Sequence, residues 1–154
     1  RQFTVVLDNE GCLWGVGYNS CGQLALEDVK HRSTFVKSTL DLPPFVEIAA
    51  GIAYVACVTD SGEVWEVGYG PVLGEKGNSL VWPRITPGVQ NIKAVACGAF
   101  HTLMLAENGD LWGIGRNESY QLGLGHQITQ TSPQRIPVEN VAQISCAFQF
   151  SFIQ

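Results

Sequence analysis

Ala106-Glu107-Asn108-Gly109-Asp110-Leu111-Trp112-Gly113-Ile114-Gly115 has two relatives within the same chain. They are Asp8-Asn9-Glu10-Gly11-Cys12-Leu13-Trp14-Gly15-Val16-Gly17 and Thr59-Asp60-Ser61-Gly62-Glu63-Val64-Trp65-Glu66-Val67-Gly68. Each decamer holds a tryptophan with one glycine three residues before it (Gly11, Gly62, Gly109) and one three residues after it (Gly17, Gly68, Gly115). The tryptophans stand roughly fifty residues apart, a period that signals a repeat architecture. Three of the four tryptophans fall on this one position, which chance does not explain.

The likeness extends outward from the decamers. An apolar run precedes each one: 3–7, 54–58 and 101–105. Before it stands a run of small residues, Ile48-Ala49-Ala50-Gly51 or Val95-Ala96-Cys97-Gly98, and Ile144-Ser145-Cys146-Ala147 opens a further copy. Downstream, Asn19-Ser20-Cys21-Gly22-Gln23-Leu24 matches Asn117-Glu118-Ser119-Tyr120-Gln121-Leu122. Each copy closes on a proline-bearing segment, with Pro43-Pro44, Pro83 and Pro87, or Pro133 and Pro137. The approximate units are 1–47, 48–94 and 95–143, with 144–154 starting another.

A unit therefore reads as four short strands. Asn-Gly, Ser-Gly and Glu-Gly pairs supply the positive φ of a hairpin tip between the second and third. Small residues suit an innermost strand crowded against its neighbours, and the tryptophans suit the space between units. Prolines suit outer edge strands, which lose nothing by lacking an N–H. No sustained helical period exists; the segment 24–36 could hold one helical turn. The expected fold is all-β, with four-stranded antiparallel blades of a β-propeller. Three repeats are too few for a closed ring of roughly four to eight blades. The chain is expected to be a segment of a longer propeller, or to need another chain or further repeats to close.

Composition narrows the function. Hydrophobic residues make up 45% and charged residues 15%, with a net charge of −5 and a pI near 5.0. Nine scattered Lys and Arg form no stripe, which disfavours direct nucleic-acid binding and anionic membranes. No apolar stretch has the length of a membrane span. Five cysteines, an odd number without a Cys-x-x-Cys pair, read as buried free thiols of a reducing compartment, cytoplasmic or nuclear. No nucleophile elbow, zinc-protease motif or phosphate loop appears, and no His/Cys/carboxylate set has ligand spacing. No cofactor, metal or catalytic residue is expected. His101 stands at a repeat position on a strand, and His31 and His126 fall in outer loops.

At this level of detail the units resemble the repeat of the regulator of chromosome condensation family. The residues that carry the resemblance are Ala96-Cys97-Gly98, His101-Thr102, Asn108-Gly109, Trp112-Gly113-Ile114-Gly115 and Gln121-Leu122-Gly123 in the third copy. The first copy keeps Gly11, Trp14-Gly15-Val16-Gly17 and Gly22-Gln23-Leu24. The second is degenerate, with Tyr54 for the histidine, Glu66 for the glycine after the tryptophan, and Val72-Leu73-Gly74 in place of Gly-Gln-Leu-Gly. The resemblance implies a propeller, commonly of seven blades, that presents loops to a protein partner, and in some members acts as a guanine-nucleotide exchange factor on a small Ran-like GTPase. The segment 27–42 is the candidate for an exchange wedge. Residues that break the repeat beside the Trp strand are the candidate contacts: Tyr18, Asn19, Glu66, Tyr69, Arg116, Asn117, Glu118 and Tyr120, with the loop 71–82 as a second surface. Gly11, Trp14, Gly17, Gly62, Trp65, Gly68, Gly109, Trp112 and Gly115 are the residues that build the repeat.

Overall fold

A computed structural model describes residues 2–70, 84–85 and 88–154, the pair 84–85 as backbone only. The loop 71–82, the Val72-Leu73-Gly74 stretch, Pro83 and Pro87 lie outside the described residues. Among the described residues every regular element is a β-strand.

The strands are β1 (Phe3–Leu7), β2 (Leu13–Gly17), β3 (Arg32–Lys37), β4 (Phe45–Ala50), β5 (Tyr54–Thr59), β6 (Val64–Gly68), β7 (Arg84–Ile85), β8 (Ile92–Cys97), β9 (His101–Ala106), β10 (Leu111–Gly115), β11 (Gln130–Ile136), β12 (Ile144–Ala147) and β13 (Phe150–Ile153). They form antiparallel meanders in the orders β1-β2-β3, β4-β5-β6-β7, β8-β9-β10-β11 and β12-β13. Each sheet is one blade, or part of one. β4, β8 and β12 are the inner strands, and they begin a few residues before or at the small-residue runs because the first residues sit ahead of a register shift, as between Phe45 and Glu47 or Ile92 and Ala94. The segment 24–36 holds no helix: Leu24, Ala25 and Leu26 make a buried turn, and β3 follows from Arg32. Pro133 does lie in the outer strand β11, but Pro43 and Pro44 lie in the link between β3 and β4.

The cores lie between sheets. Leu13, Phe45, Val55, Cys57 and Val67 pack with Phe3, Val5 and Trp65 between the first and second. Tyr54, Ala56, Val95, Met104 and Ile114 pack with Trp112 between the second and third. Leu103, Leu105, Leu122 and Ile136 pack with Ile144 and Cys146 between the third and the fourth. β5 and β9 are buried along their whole length, since a sheet covers each face.

The hairpin glycines explain how blades dock. At Gly11 and Gly62 the φ values are +78° and +76°, and the carbonyls accept the amides of Phe45 and Ile92 at 3.0 and 3.1 Å. A Cβ on Gly62 would stand 2.6 Å from the Asn91 Cα. The tip of one blade is thus seated against the first inner strand of the next, and only a hydrogen fits between them.

A second set of bonds runs around the inner rim. Ile52 N donates to Ala99 O at 3.4 Å, and Ala99 N to Phe148 O at 2.7 Å. These are equivalent positions in successive blades. Behind them, Tyr54 donates its buried hydroxyl to His101 O at 2.7 Å and lies 3.0 Å from the Thr102 hydroxyl. One blade further on, His101 Nε2 meets Ser151 Oγ at 3.0 Å, and Ser151 donates to Gln121 O at 2.8 Å. Since that serine spends its proton on a carbonyl, His101 is the donor in the pair, and burial lowers its pKa further from the charged form.

Candidate protein-binding face

In an antiparallel meander the first–second and third–fourth connections leave from one end of the blade. Tyr18 N, Tyr69 N and Arg116 N donate to Gln2 O, Ala53 O and Phe100 O at 3.0, 2.9 and 2.8 Å, which ties both kinds of connection together at that end. The hairpin turns carrying Asp8, Glu10, Asp60, Glu63, Glu107 and Asp110 lie at the other. Among the described residues the loop end, with Glu27, Asp28 and Glu118, is the less acidic one.

Two of its loops are built alike. Asn19 Nδ2 donates to Asp28 O at 2.8 Å, and its Oδ1 accepts Leu24 N at 2.9 Å. Asn117 Nδ2 donates to His126 O at 2.6 Å, and its Oδ1 accepts Leu122 N at 2.9 Å. Gln23 and Gln121 accept the amides of Cys21 and Ser119, both at 3.0 Å. Leu24 and Leu122 are buried over Gly15 and Gly113, where an added Cβ would come within 2.9 and 3.0 Å of them. The glycine after the tryptophan therefore makes room for the leucine of its own loop.

This construction divides the candidate contact residues. Asn19 and Asn117 are fully buried and spent on the clamp; they hold the loops and present nothing to a partner, which corrects their assignment as contacts. Glu66 is also buried, at 1% exposure. It stands where Gly15 and Gly113 stand in the other blades and accepts the Thr102 hydroxyl at 3.3 Å across the blade junction, with Arg84 opposite it in register. It belongs to the junction and not to the face. Tyr18 is half-buried and stacked on His31 at 4.6 Å, and Tyr69 is half-buried. Arg116 and Glu118 are exposed and paired with each other.

Tyr120 is different. It is 55% exposed and has φ +60°, the conformation that Gly22 takes at φ +71° in the first blade. A bulky residue in that region costs about 1–2 kcal/mol, and such strain concentrates at functional positions. The sequence held the signal, Tyr-Gln-Leu against Gly-Gln-Leu, but not the backbone angle that gives it meaning. That Tyr54, Thr102, Glu66, His101 and Ser151 form one network across the blade junctions had no sequence signal, because they come from four strands spread along the chain.

The proposed wedge segment 27–42 is the loop, outer strand β3 and link of the first blade, so it is no insertion. Asp8, Glu10 and Cys12 bring three potential ligand atoms within 4.8 Å of one another. Asp8 is already committed: it accepts Trp14 Nε1 at 2.8 Å and the Cys12 and Glu10 amides at 2.9 and 3.0 Å, and pairs with Lys37 at 3.4 Å. The thiols of Cys57, Cys97 and the partly buried Cys146 are no nucleophiles either. Burial pushes Cys57 up, Cys97 to about 12 and Cys146 to about 11, so all three remain protonated at neutral pH.

Comparison with known proteins agrees with the repeat and the fold. A family model described as "Regulator of chromosome condensation (RCC1) repeat" matches residues 108–154, and a second of the same description matches residues 92–121. The chain is 32% identical over 160 residues to the RCC1 domain-containing protein RUG3, mitochondrial, of Arabidopsis thaliana, covering 93% of this chain and 36% of that protein. It is 33% identical over 134 residues to the ultraviolet-B receptor UVR8 of the same plant, covering 81% and 30%. Among solved structures, Prp20p from Saccharomyces cerevisiae, described with its binding to Gsp1p and histones, superposes with a TM-score of 0.81 at 25% identity, over 99% of this chain and 41% of its own. The fold and the repeat define blades of an RCC1-type β-propeller. The chain belongs to the regulator of chromosome condensation repeat family, and it spans well under half the length of these relatives.

Proposed function

We propose that this chain is a protein-interaction module whose loop end receives a protein partner, with Tyr120 and Arg116 as anchors. The observation that carries this reading is Tyr120 itself, an exposed aromatic held in a costly conformation on a loop clamped from below by Asn117 and tied to the next blade through Gln121. Tyr and Arg dominate binding hot spots, and the exposed Arg116–Glu118 pair yields little when opened. The scattered cations and the net charge of −5 speak against a nucleic-acid partner. The free cysteines suit a reducing compartment, nuclear or cytoplasmic, although RUG3 is a mitochondrial relative. Affinity capture with the wild-type protein and with Tyr120→Ser and Arg116→Ala tests the surface. The variants lose the retained partner while Glu10→Gln, at the opposite end, keeps it; equal retention by all removes the loop end from consideration.

A second reading, guanine-nucleotide exchange on a small Ran-like GTPase, is supported by the superposition on Prp20p. It requires no catalytic triad, only a surface that distorts the GTPase. Release of labelled GDP from such a GTPase decides it: acceleration supports exchange, and an unchanged rate at high micromolar protein leaves the binding module alone.

A further inference from the structure

The outer strand β11 carries Thr131-Ser132-Pro133-Gln134-Arg135. Its pairing with β10 jumps, since Gly113 stands opposite Gln134 while Gly115 stands opposite Gln130. Residues 131–133 therefore bulge out of the ladder. Thr131, Ser132 and Arg135 are exposed. β11 has a neighbour on one side only, and the outer edge of a blade points away from the propeller axis, where no further blade covers it. The Ser132 hydroxyl meets Gln134 Nε2 at 3.2 Å, an exposed contact that water replaces at little cost.

We propose that Ser132 is a phosphorylation site for a proline-directed serine/threonine kinase. Pro133 has no N–H, so a kinase pocket that offers no acceptor to the residue after the serine takes proline freely, whereas any other residue brings an unpaired donor. Arg135 supplies a cation three residues after the serine, the place where an acidic kinase subsite reads charge. Its guanidinium is bonded to Asp110 Oδ1 at 2.6 and 3.0 Å, but it is half exposed, and a pair of that kind is readily exchanged. The bulge has no partner in the register of β10, so it enters a cleft at little cost to the blade. Ser132 Oγ attacks the γ-phosphorus of ATP; the Oγ–P bond forms as the bond to the β–γ bridging oxygen breaks. ADP leaves, and the hydroxyl proton passes to the kinase's carboxylate base. The phosphate adds about −1.5 to −2 charges and competes with Asp110 for Arg135. This site is independent of the loop-end reading.

The test is to incubate the intact folded protein with a cyclin-dependent kinase and magnesium ATP, and to map the modified residue by mass spectrometry. One phosphate on Ser132 is expected, absent in Ser132→Ala. Pro133→Ala, which brings an unpaired N–H, and Arg135→Gln, which loses a charge-assisted contact, each slow the initial rate by roughly tenfold, and Arg135→Lys restores most of the loss at Arg135. Circular dichroism of each variant matches wild type. The proposal is overturned if Ser132 is modified only after denaturation, or if the phosphate sits instead on Thr86, the hydroxyl residue of the chain's other Thr/Ser-Pro pair.

Discussion

Single residues decide how the repeat tolerates variation. The first residue of the hairpin decamer is Asp8, Thr59 or Ala106 in the three copies. Asp8 accepts both turn amides and the Trp14 indole, Thr59 Oγ1 accepts only the Glu63 amide among such bonds, at 3.1 Å, and Ala106 offers no side-chain acceptor. The consequence is visible at Trp65, whose buried Nε1 finds no acceptor among the described residues. The Trp14 indole, then the Cys12 amide, hold the Asp8 carboxyl down at about 2. Its folded pKa lies below the unfolded value near 3.9, so its stabilisation is complete above pH ~4 and is lost as pH falls through 2. Urea unfolding followed by tryptophan fluorescence should show that Asp8→Asn flattens this acid limb; a limb unchanged in the variant refutes the assignment. Tyr120→Gly makes the opposite kind of prediction. It relieves the left-handed strain and stabilises the fold by about 1 kcal/mol while weakening partner binding, which thermal melts and affinity capture measure together.

At the scale of elements, the turn and the loop clamp carry the blade. Gly62→Ala forces a Cβ into the backbone of Asn91 and Ile92 and should separate the second and third sheets. Gly109 has φ +84° but meets nothing nearer than Val141 N at 4.0 Å. Gly109→Ala should therefore cost only the left-handed penalty of about 1–2 kcal/mol, and Gly62→Ala distinctly more; equal losses in melting temperature would contradict the docking role of the tip. In the clamp, Asn117→Ala leaves His126 O and Leu122 N without their partner and should cost about 2–3 kcal/mol, with Asn19→Ala behaving alike because the loop is the same.

At the scale of the molecule, the β12-β13 sheet differs from the sheets before it. Phe150 and Phe152 on β13, and Phe148 in the turn before it, are each more than 60% exposed, while Leu103, which stands where Phe152 stands, is fully buried by the next sheet. A bare apolar face beside an open strand edge favours association. A polypeptide of these 154 residues alone is expected to self-associate in light scattering, and Phe150→Asp with Phe152→Asp to shift it toward monomer. A monodisperse wild-type monomer with a cooperative melt would show that this face needs no cover.

The sequence by itself determined the strands, the hairpin tips and the blade class, because these rest on local rules: alternation along a strand, positive φ at a glycine, small residues where strands crowd. It also offers Tyr120 and Arg116, which interrupt a repeat legible by self-comparison, as the contacts proposed for the loop end. It misplaced Asn19, Asn117 and Glu66 as surface contacts for a definite reason. A polar residue looks the same in a sequence whether it faces water or a buried carbonyl, and only the folded loop shows that Asn117 closes on His126 O and Leu122 N. The tertiary structure alone decided which departures from the repeat face outward, which ones knit blades together, and that Tyr120 carries the backbone angle of a glycine. Those properties depend on groups that meet across blades, and no local pattern encodes such meetings.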